Sequence, residues 1–152
     1  MAKKRTTGGR KANAGKRSAG VEFNHAMVYV RDLAAALKFY SGQLGFKLLD
    51  EYPGAYARLQ SPAGKSTLAL HVAKREDAVS SAGVRLYLEV RELDKFCGKL
   101  EAAGVPVPEP PKMMPWGWRH AYLNDPDGHE ISLYWAGNKR FQKTVMKRSA
   151  GA

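Results

Sequence analysis

The sequence is poor in cysteine, in long apolar runs and, at its two ends, in acidic residues. Cys97 is the single cysteine among 152 residues, so no internal disulfide can form and we expect a reducing, cytoplasmic setting. No run of 18 apolar residues occurs, which argues against a membrane-spanning helix. No apolar segment follows residues 1–5, so we also expect no secretory signal.

Basic residues are concentrated where acids are missing. Residues 1–20 hold seven Lys or Arg, and residues 139–152 hold five. The part between them, 21–138, has 13 bases against 14 acids, so its surface is close to neutral. The sequence predicts a disordered basic tail at 1–20, one domain at 21–137 and a basic tail at 138–152. Such tails favour weak, salt-sensitive contact with nucleic acid or an anionic surface, or serve solubility alone.

One short pattern occurs twice, 64 residues apart. Residues 57–64 and 121–128 agree in four of eight places, and each copy predicts two strands joined by a turn that contains Pro and Gly. Beyond the turn the match continues with a one-residue slip, which sets Leu68 against Ile131. A long period present only twice favours two duplicated halves of one domain.

The first half, 22–73, is predicted to form a β-α-β-β-β unit. An alternating strand begins near Phe23, and Asp32 is the candidate N-cap of a helix that Gly45 ends. Three further strands are predicted at 46–51, 55–60 and 66–72.

The second half, 84–136, follows a polar connector at 73–83 and repeats the unit. Its prolines make 105–111 an extended edge or a loop. In the final hairpin, Asp125 is expected to hydrogen-bond the turn backbone and Gly128 to supply a positive φ. The predicted helix carries an apolar stripe of Leu93, Phe96, Cys97, Leu100 and Ala103.

These units resemble the vicinal oxygen chelate superfamily, which includes glyoxalase, bleomycin-resistance proteins and extradiol dioxygenases. The resemblance implies an α+β fold in which two βαβββ modules form a curved mixed sheet, an incomplete barrel, around one cavity. The helices are then expected on the convex side. It covers about residues 22–136 and is carried by Val30, Asp32, Leu33, Phe39, Tyr40, Leu44, Gly45, Phe46 and the turn at 125–128.

The resemblance also implies a divalent-metal site with ligands from the first and fourth strands of both units. Alanine has no donor atom, a neutral serine hydroxyl binds weakly and a guanidinium repels cations, so only His25 is an ordinary ligand. We therefore expect no metal cofactor, with a divalent metal as the alternative. A shifted set of His25, His71 and Glu130 is less favoured, because two of these residues lie roughly 6.5 Å along a strand from the implied positions. The four implied positions are His25, Ala69, Arg85 and Ser132.

Strand alternation predicts the cavity lining independently of the resemblance. The lining is aromatic, hydrogen-bonding and ionisable, which suits a small aromatic or anionic ligand. Arg85 could anchor an anionic group by two hydrogen bonds, or pair with Glu89 or Glu130 instead. The candidate ligand-binding residues are Tyr29, His71, Arg85, Tyr87, Glu89, Trp118, His120, Tyr122, Ser132 and Tyr134, beside His25, Met27, Ala69 and Glu130.

Three further residues lie in or near the last hairpin. His120 and His129 are expected to be solvated because they lie near a turn. Trp118 serves either as a lid over the core or as a stacking platform for a ligand.

Three functions are consistent with these residues. The first is a metal-independent binding protein of the bleomycin-resistance kind that holds a small aromatic or cationic compound. The second is an enzyme, a glyoxalase-like lyase or isomerase or a dioxygenase, in which Glu130 or His25 moves a proton. The third is an adaptor whose basic tails bind nucleic acid. Whether two chains form a homodimer is left open.

Overall fold

The computed structural model describes residues 25–75, 79–80 and 82–141 and consists of two βαβββ modules. The predicted basic tails lie largely outside these residues. The first module contains β1 (His25–Val30), α1 (Leu33–Leu37), a π-helical segment (Lys38–Gln43), β2 (Lys47–Tyr52), β3 (Tyr56–Gln60) and β4 (Thr67–Val72). The second contains β5 (Arg85–Glu89), α2 (Leu93–Ala102), β6 (Glu109–Met113), β7 (Arg119–Asn124) and β8 (Glu130–Trp135), followed by a 3₁₀ turn (Gly137–Phe141).

Each module forms its own four-stranded mixed sheet. The strand orders are β1-β4-β3-β2 and β5-β8-β7-β6, and in each sheet the first pair is parallel and the other pairs are antiparallel. The predicted α+β fold of two modules is therefore confirmed. The described strands form two four-stranded mixed sheets and no closed barrel, in agreement with the predicted incomplete barrel.

The one-residue slip between the two halves lies in the hairpin turns. Six residues, 61–66, separate β3 from β4, whereas five, 125–129, separate β7 from β8. Leu68 pairs with Leu59 and Ile131 pairs with Leu123, so the backbone register is the same on either side of turns of different length.

The helices of the two modules differ at both ends, since Asp32 caps α1 with its side chain and Glu92, at the start of α2, makes no such hydrogen bond. Asp32 caps α1 by accepting hydrogen bonds from the backbone N–H groups of Ala34 at 2.8 Å and Ala35 at 3.2 Å, as predicted. From Leu33 to Gly45 the chain is one residue longer than from Leu93 to Gly104 in the second module. The π-helical segment absorbs that extra residue, since a π turn accommodates a single insertion in a helix.

One apolar core contains residues of both modules. α1 packs on β3 and β4, while α2 packs on β6, β7 and β8. Burial raises the pKa of the Cys97 thiol, on the inner side of α2, to about 11, so this thiol is protonated at neutral pH. The largest side chains of this core with almost no exposure are Tyr40, Leu59, Leu70, Leu123, Ile131 and Leu133.

The last hairpin turn forms a buried polar joint with the first module. Asp125 Oδ1 accepts hydrogen bonds from the backbone N–H groups of Asp127 and His129, at 2.9 and 2.8 Å, which confirms its predicted role in the turn. Asp125 Oδ2 accepts further hydrogen bonds from the Tyr40 hydroxyl and from His129 Nδ1, both at 2.8 Å. Burial and the Asp125 carboxylate raise the pKa of Tyr40, so its hydroxyl remains a donor.

The expectation that His129 is solvated was wrong. His129 is only 4% exposed, because the turn places its ring against Asp125, the same carboxylate that accepts the hydrogen bond of Tyr40. Gly128 has a φ of +88°, as predicted, and this lets the chain re-enter β8 directly after the joint.

β6 is the proline-containing edge that the sequence predicts. It carries Pro110 and Pro111 and pairs with β7 alone, with an irregularity between Glu109 and Lys112. Prolines lack the N–H group that a further strand would need, so this edge is closed to pairing. Among the described residues, no helix has the length and apolar character needed to cross a bilayer.

Candidate functional site

Each sheet has a face that points away from its helix, here called its open face. The first open face carries residues of β1, β3 and β4, and the second carries residues of β5, β7 and β8. The strand registers place His25, Met27, Tyr29, Tyr56, Arg58 and His71 on the first, and Arg85, Tyr87, Glu89, His120, Tyr122, Glu130, Ser132 and Tyr134 on the second.

The second open face carries an array of nearly parallel rings. Trp118 is stacked with His120 at 6.1 Å between ring centroids and with Tyr134 at 5.4 Å, with planes inclined by only 5° and 18°. Tyr122 stacks on His120 at 5.7 Å and 17°. Tyr87 meets His120 and Tyr134 with its ring nearly perpendicular to theirs and is 52% exposed. We call these five rings the aromatic array.

His120 is the buried centre of the aromatic array, which corrects the expectation that it is solvated. It is 2% exposed because the rings around it cover both of its faces. The Trp116 indole N–H donates to His120 Nε2 at 3.3 Å, and His120 Nδ1 lies 2.8 Å from Ser132 Oγ. An indole can only donate, so Nε2 accepts and the neutral ring carries its proton on Nδ1.

Burial lowers the pKa of His120, with the positive charge of Arg85 as a further cause. Burial also raises the pKa of Tyr134. Both groups are therefore held neutral near pH 7, and the centre of the aromatic array is uncharged.

The charged residues of the second open face form ion pairs. Arg85 Nη2 lies 2.5 Å from Glu130 Oε1. Of the two partners that the sequence offered, Glu89 and Glu130, Arg85 therefore pairs with Glu130. Hydrogen bonds to Glu130 and Tyr87 raise the pKa of Arg85, and its guanidinium lies 5.1 Å from the centroid of the Tyr122 ring. Glu89 pairs with Arg140 of the 3₁₀ turn at 3.2 Å.

The histidines of the first open face have local partners. His25 Nδ1 lies 2.7 Å from Thr67 Oγ1 on the neighbouring strand. His71 Nδ1 donates to the Val72 carbonyl at 2.8 Å, and the His71 ring meets Tyr29 at 5.7 Å in an edge-to-face contact. His25 and His71 thus lie at opposite ends of the β1–β4 pair, and Glu130 lies on the other sheet.

The residues at the implied metal positions do not fit a metal. His25 is bonded to Thr67, Ala69 has no donor atom, Arg85 is a cation paired with Glu130, and Ser132 is bonded to His120. Among the residues that the structure describes, no three His, Cys, Asp or Glu side chains gather in an arrangement that could hold a metal ion. The shifted set of His25, His71 and Glu130 is not brought together either.

Three aromatic residues that sequence reasoning left out contribute to the open faces. Trp116 holds His120, while Tyr52 and Tyr56 lie beside His71 on the first sheet. Tyr56 was accessible to prediction, because the hairpin around 61–64 puts it opposite His71. Trp116 carried no such signal, since it lies in an irregular turn before β7.

Comparison with known proteins resolves the family. The model of the Glyoxalase/Bleomycin resistance protein/Dioxygenase superfamily matches residues 22–133. The chain belongs to this superfamily. The match spans both modules, in agreement with the resemblance drawn from the sequence motifs. No curated protein matches the chain.

Solved structures of the superfamily share this fold. TnmS3, an antibiotic binding protein from Streptomyces sp. CB03234, is 30% identical over 80% of this chain and 100% of its own, with a TM-score of 0.67. A superfamily member from Sphaerobacter thermophilus is 28% identical over 76% of this chain and 98% of its own, with a TM-score of 0.64. A lactoylglutathione lyase from Agrobacterium tumefaciens, at 20% identity, covers 81% of this chain and 98% of its own with a TM-score of 0.65, which shows the fold alone.

Proposed function

We propose that this superfamily member binds a flat, aromatic small molecule on its second open face, without the four-ligand metal site implied by the fold. The observation that carries the proposal is the aromatic array, in which Trp118, His120, Tyr122 and Tyr134 have nearly parallel planes. Parallel rings continue most favourably with another flat ring in an offset stack.

The accessible parts of the aromatic array are its outer members. Trp118 is half-buried and Tyr87 is 52% exposed, whereas His120 and Tyr134 are buried. A ligand therefore stacks against Trp118 and meets the ring of Tyr87 at its edge. The antibiotic-binding function of TnmS3 supports a small-molecule ligand for the present chain as well.

The electrostatics of the face favour stacking over recognition of an anionic group. Arg85 is engaged by Glu130 and Glu89 by Arg140, and the buried ring of His120 is neutral. A metal is not part of the proposal, because Arg85 and Ser132 occupy two of the implied ligand positions. Arg85 is paired with the side chain of Glu130, and Ser132 is bonded to the ring of His120.

Two sulfonates of equal charge test the proposal by isothermal titration calorimetry. We expect anthraquinone-2-sulfonate, which is flat and aromatic, to bind, and camphor-10-sulfonate, which is globular and aliphatic, not to bind. Pretreatment with EDTA, or addition of Zn²⁺ or Ni²⁺, should leave the affinity for the flat probe unchanged. Equal binding of both sulfonates would contradict recognition by stacking, and a metal requirement would contradict the metal-free site.

A pair of tryptophan variants locates the binding face. Trp118→Leu should weaken binding of anthraquinone-2-sulfonate about tenfold, since loss of one stacking platform costs about 1–3 kcal/mol. Trp135→Leu is the matched control, because Trp135 lies on the opposite side of β8, where Arg91 covers its ring at 5.7 Å. Equal losses in the two variants would place binding elsewhere.

A further inference from the structure

The turn before β7 carries both Trp116 and Trp118 and is closed as one unit. Two backbone hydrogen bonds of 2.8 Å hold it, from the Met114 N–H to the Trp118 carbonyl and from the Gly117 N–H to the Met114 carbonyl. Trp118 is the stacking platform of the proposed function, and Trp116 lies two residues before it. A displacement of the Trp116 indole is therefore transmitted to Trp118 through this short closed turn.

His120 anchors this turn to the sheet. The Trp116 indole N–H donates to His120 Nε2 at 3.3 Å, and the two rings meet edge to face with centroids 5.5 Å apart. An indole has no acceptor, so this hydrogen bond exists only while His120 Nε2 carries no proton. Protonation of His120 would set two donors against each other and break the contact with Trp116.

The surroundings of His120 contain no spare negative charge that would compensate an additional proton. All three carboxylates that the described strands place on the second open face have cationic partners. The pairs are Glu130 with Arg85, Glu109 with Lys112 and Glu89 with Arg140. The other titratable groups around the ring and its turn are the phenols of Tyr87, Tyr122 and Tyr134 and the amine of Lys139, which lies beside Gly117. An imidazolium at this position would therefore be buried without a counter-charge.

We propose that the hydrogen bond between Trp116 and His120 positions the stacking platform and makes ligand binding on the second open face depend on pH. The neutral imidazole holds Trp116, and through the turn Trp118, in the aromatic array, whereas the imidazolium releases them. The inference rests on the proposed function, because the ligand is the flat molecule that stacks on Trp118.

The direction of the pH dependence follows from which form of His120 binds the ligand. Only the neutral form keeps the platform in place, so the affinity is full above the pKa of His120 and declines as the pH falls through it. Burial, with the charge of Arg85, lowers this pKa below the ordinary value of about 6.5. The loss of affinity is therefore expected in mildly acidic solution.

Calorimetric titration of anthraquinone-2-sulfonate at several pH values tests the proposal. From about pH 7.5 to about pH 5 we expect the affinity to fall roughly 3- to 10-fold, since one protonation opposes binding. The sulfonate keeps its charge over this range, and a positive His120 that acted through charge alone would bind the anion more tightly. An affinity that is constant or rises towards pH 5 would overturn the proposal.

The hydrogen bond is also measurable without a ligand, by NMR of the indole N–H groups. The Trp116 N–H signal should shift together with the ring signals of His120 as the pH falls, because protonation removes its acceptor. The N–H signal of Trp135, whose ring lies under Arg91 on the opposite side of β8, should not follow this titration. A Trp116 signal that ignores the titration of His120 would overturn the inference. Absence of binding at pH 7.5 would contradict the proposed function alone, since the NMR result stands without the sulfonate.

A pair of phenylalanine variants separates positioning by Trp116 from a general effect of charge on the aromatic array. Trp116→Phe keeps a ring but removes the N–H donor, so it should bind the sulfonate about threefold more weakly at pH 7.5 and lose most of the pH dependence. Trp135→Phe is the matched control and should keep both the affinity and the pH profile. An unchanged pH profile in Trp116→Phe would overturn the role of this hydrogen bond.

Discussion

The two modules have the same backbone and different open faces. Their strand orders and parallel and antiparallel pairings correspond one to one. On the second face the rings are nearly parallel and ion pairs flank them, whereas on the first face the rings are inclined to one another and Arg58 pairs with Asp50 beside them. The repeated inward-facing apolar residues thus determine the sheet, and the outward-facing residues determine what each sheet can bind.

The modules also differ in the contact that joins them. Tyr40 and Leu100 each lie seven residues after the start of their helix, and Ser61 and Asp125 each open a hairpin turn. Only Tyr40 and Asp125 form a buried hydrogen bond, since the residues at the equivalent pair of positions, Leu100 and Ser61, lack a hydroxyl donor and a carboxylate. The two modules are therefore joined by a polar contact that runs from the helix of the first module to the hairpin turn of the second, and the equivalent pair in the reverse direction does not form one.

The largest effect should come from breaking that joint. Asp125→Ala removes the acceptor of four hydrogen bonds and leaves the Tyr40 hydroxyl and the His129 ring buried, so we expect a loss of about 3–5 kcal/mol in the free energy of unfolding. Ser61→Ala, at the equivalent turn position, should cost less than about 1 kcal/mol. Chemical denaturation measures both values. Similar losses for the two variants would show that the joint is not special.

A second prediction concerns pH and the aromatic array. The pKa of His120 is lowered in the folded state, so between pH 7 and 5.5 the unfolded chain takes up a proton that the folded chain resists. Stability is therefore retained above the ordinary histidine pKa of about 6.5 and falls below it, by at most about 1.4 kcal/mol per pH unit for one group.

His120→Gln should flatten this pH dependence of the unfolding free energy. His25→Gln removes an exposed histidine of the first open face and should leave the slope nearly unchanged. A slope insensitive to His120→Gln would mean that another group resists protonation. The comparison thus tests whether the two faces differ in burial as well as in composition.

The smallest effect is expected in the π-helical segment, which the second module lacks. Ser41 Oγ is buried and has no hydrogen-bond partner among the described residues. Ser41→Ala should leave the unfolding free energy unchanged or raise it by up to about 1 kcal/mol, because an unsatisfied hydroxyl is removed. A clear loss of stability, measured by thermal and chemical denaturation, would indicate a partner for this hydroxyl.

Sequence alone gave the parts of the fold that depend on local patterns. The alternation in β1, the cap at Asp32 and the slip between Leu68 and Ile131 are all present, because each reflects contacts within a few residues or one hairpin. How the two modules pack on one another was not predictable in this way, because alternation only tells which residues share a face.

The histidines show where sequence reasoning on the site ended. His129 is buried through Asp125 and Tyr40, a contact that spans 85 residues. His120 is buried by Trp116 from an irregular turn and by Ser132 across the hairpin. The hairpin register would have suggested Ser132 as a neighbour of His120, but nothing in the spacing indicated that Trp116 folds back over the strand.

The additional residue after Tyr40 makes the two helices impossible to interchange. In a regular helix each residue is rotated by about 100° about the helix axis relative to the residue before it. Deleting Ser41 or Gly42 to match the second module would therefore rotate Leu44 and Phe46, both now buried, out of line with the first sheet. A chimaera carrying α2 in place of α1 and its π-helical segment inherits the same misalignment, so any exchange of helices between the modules requires a compensating insertion before Phe46.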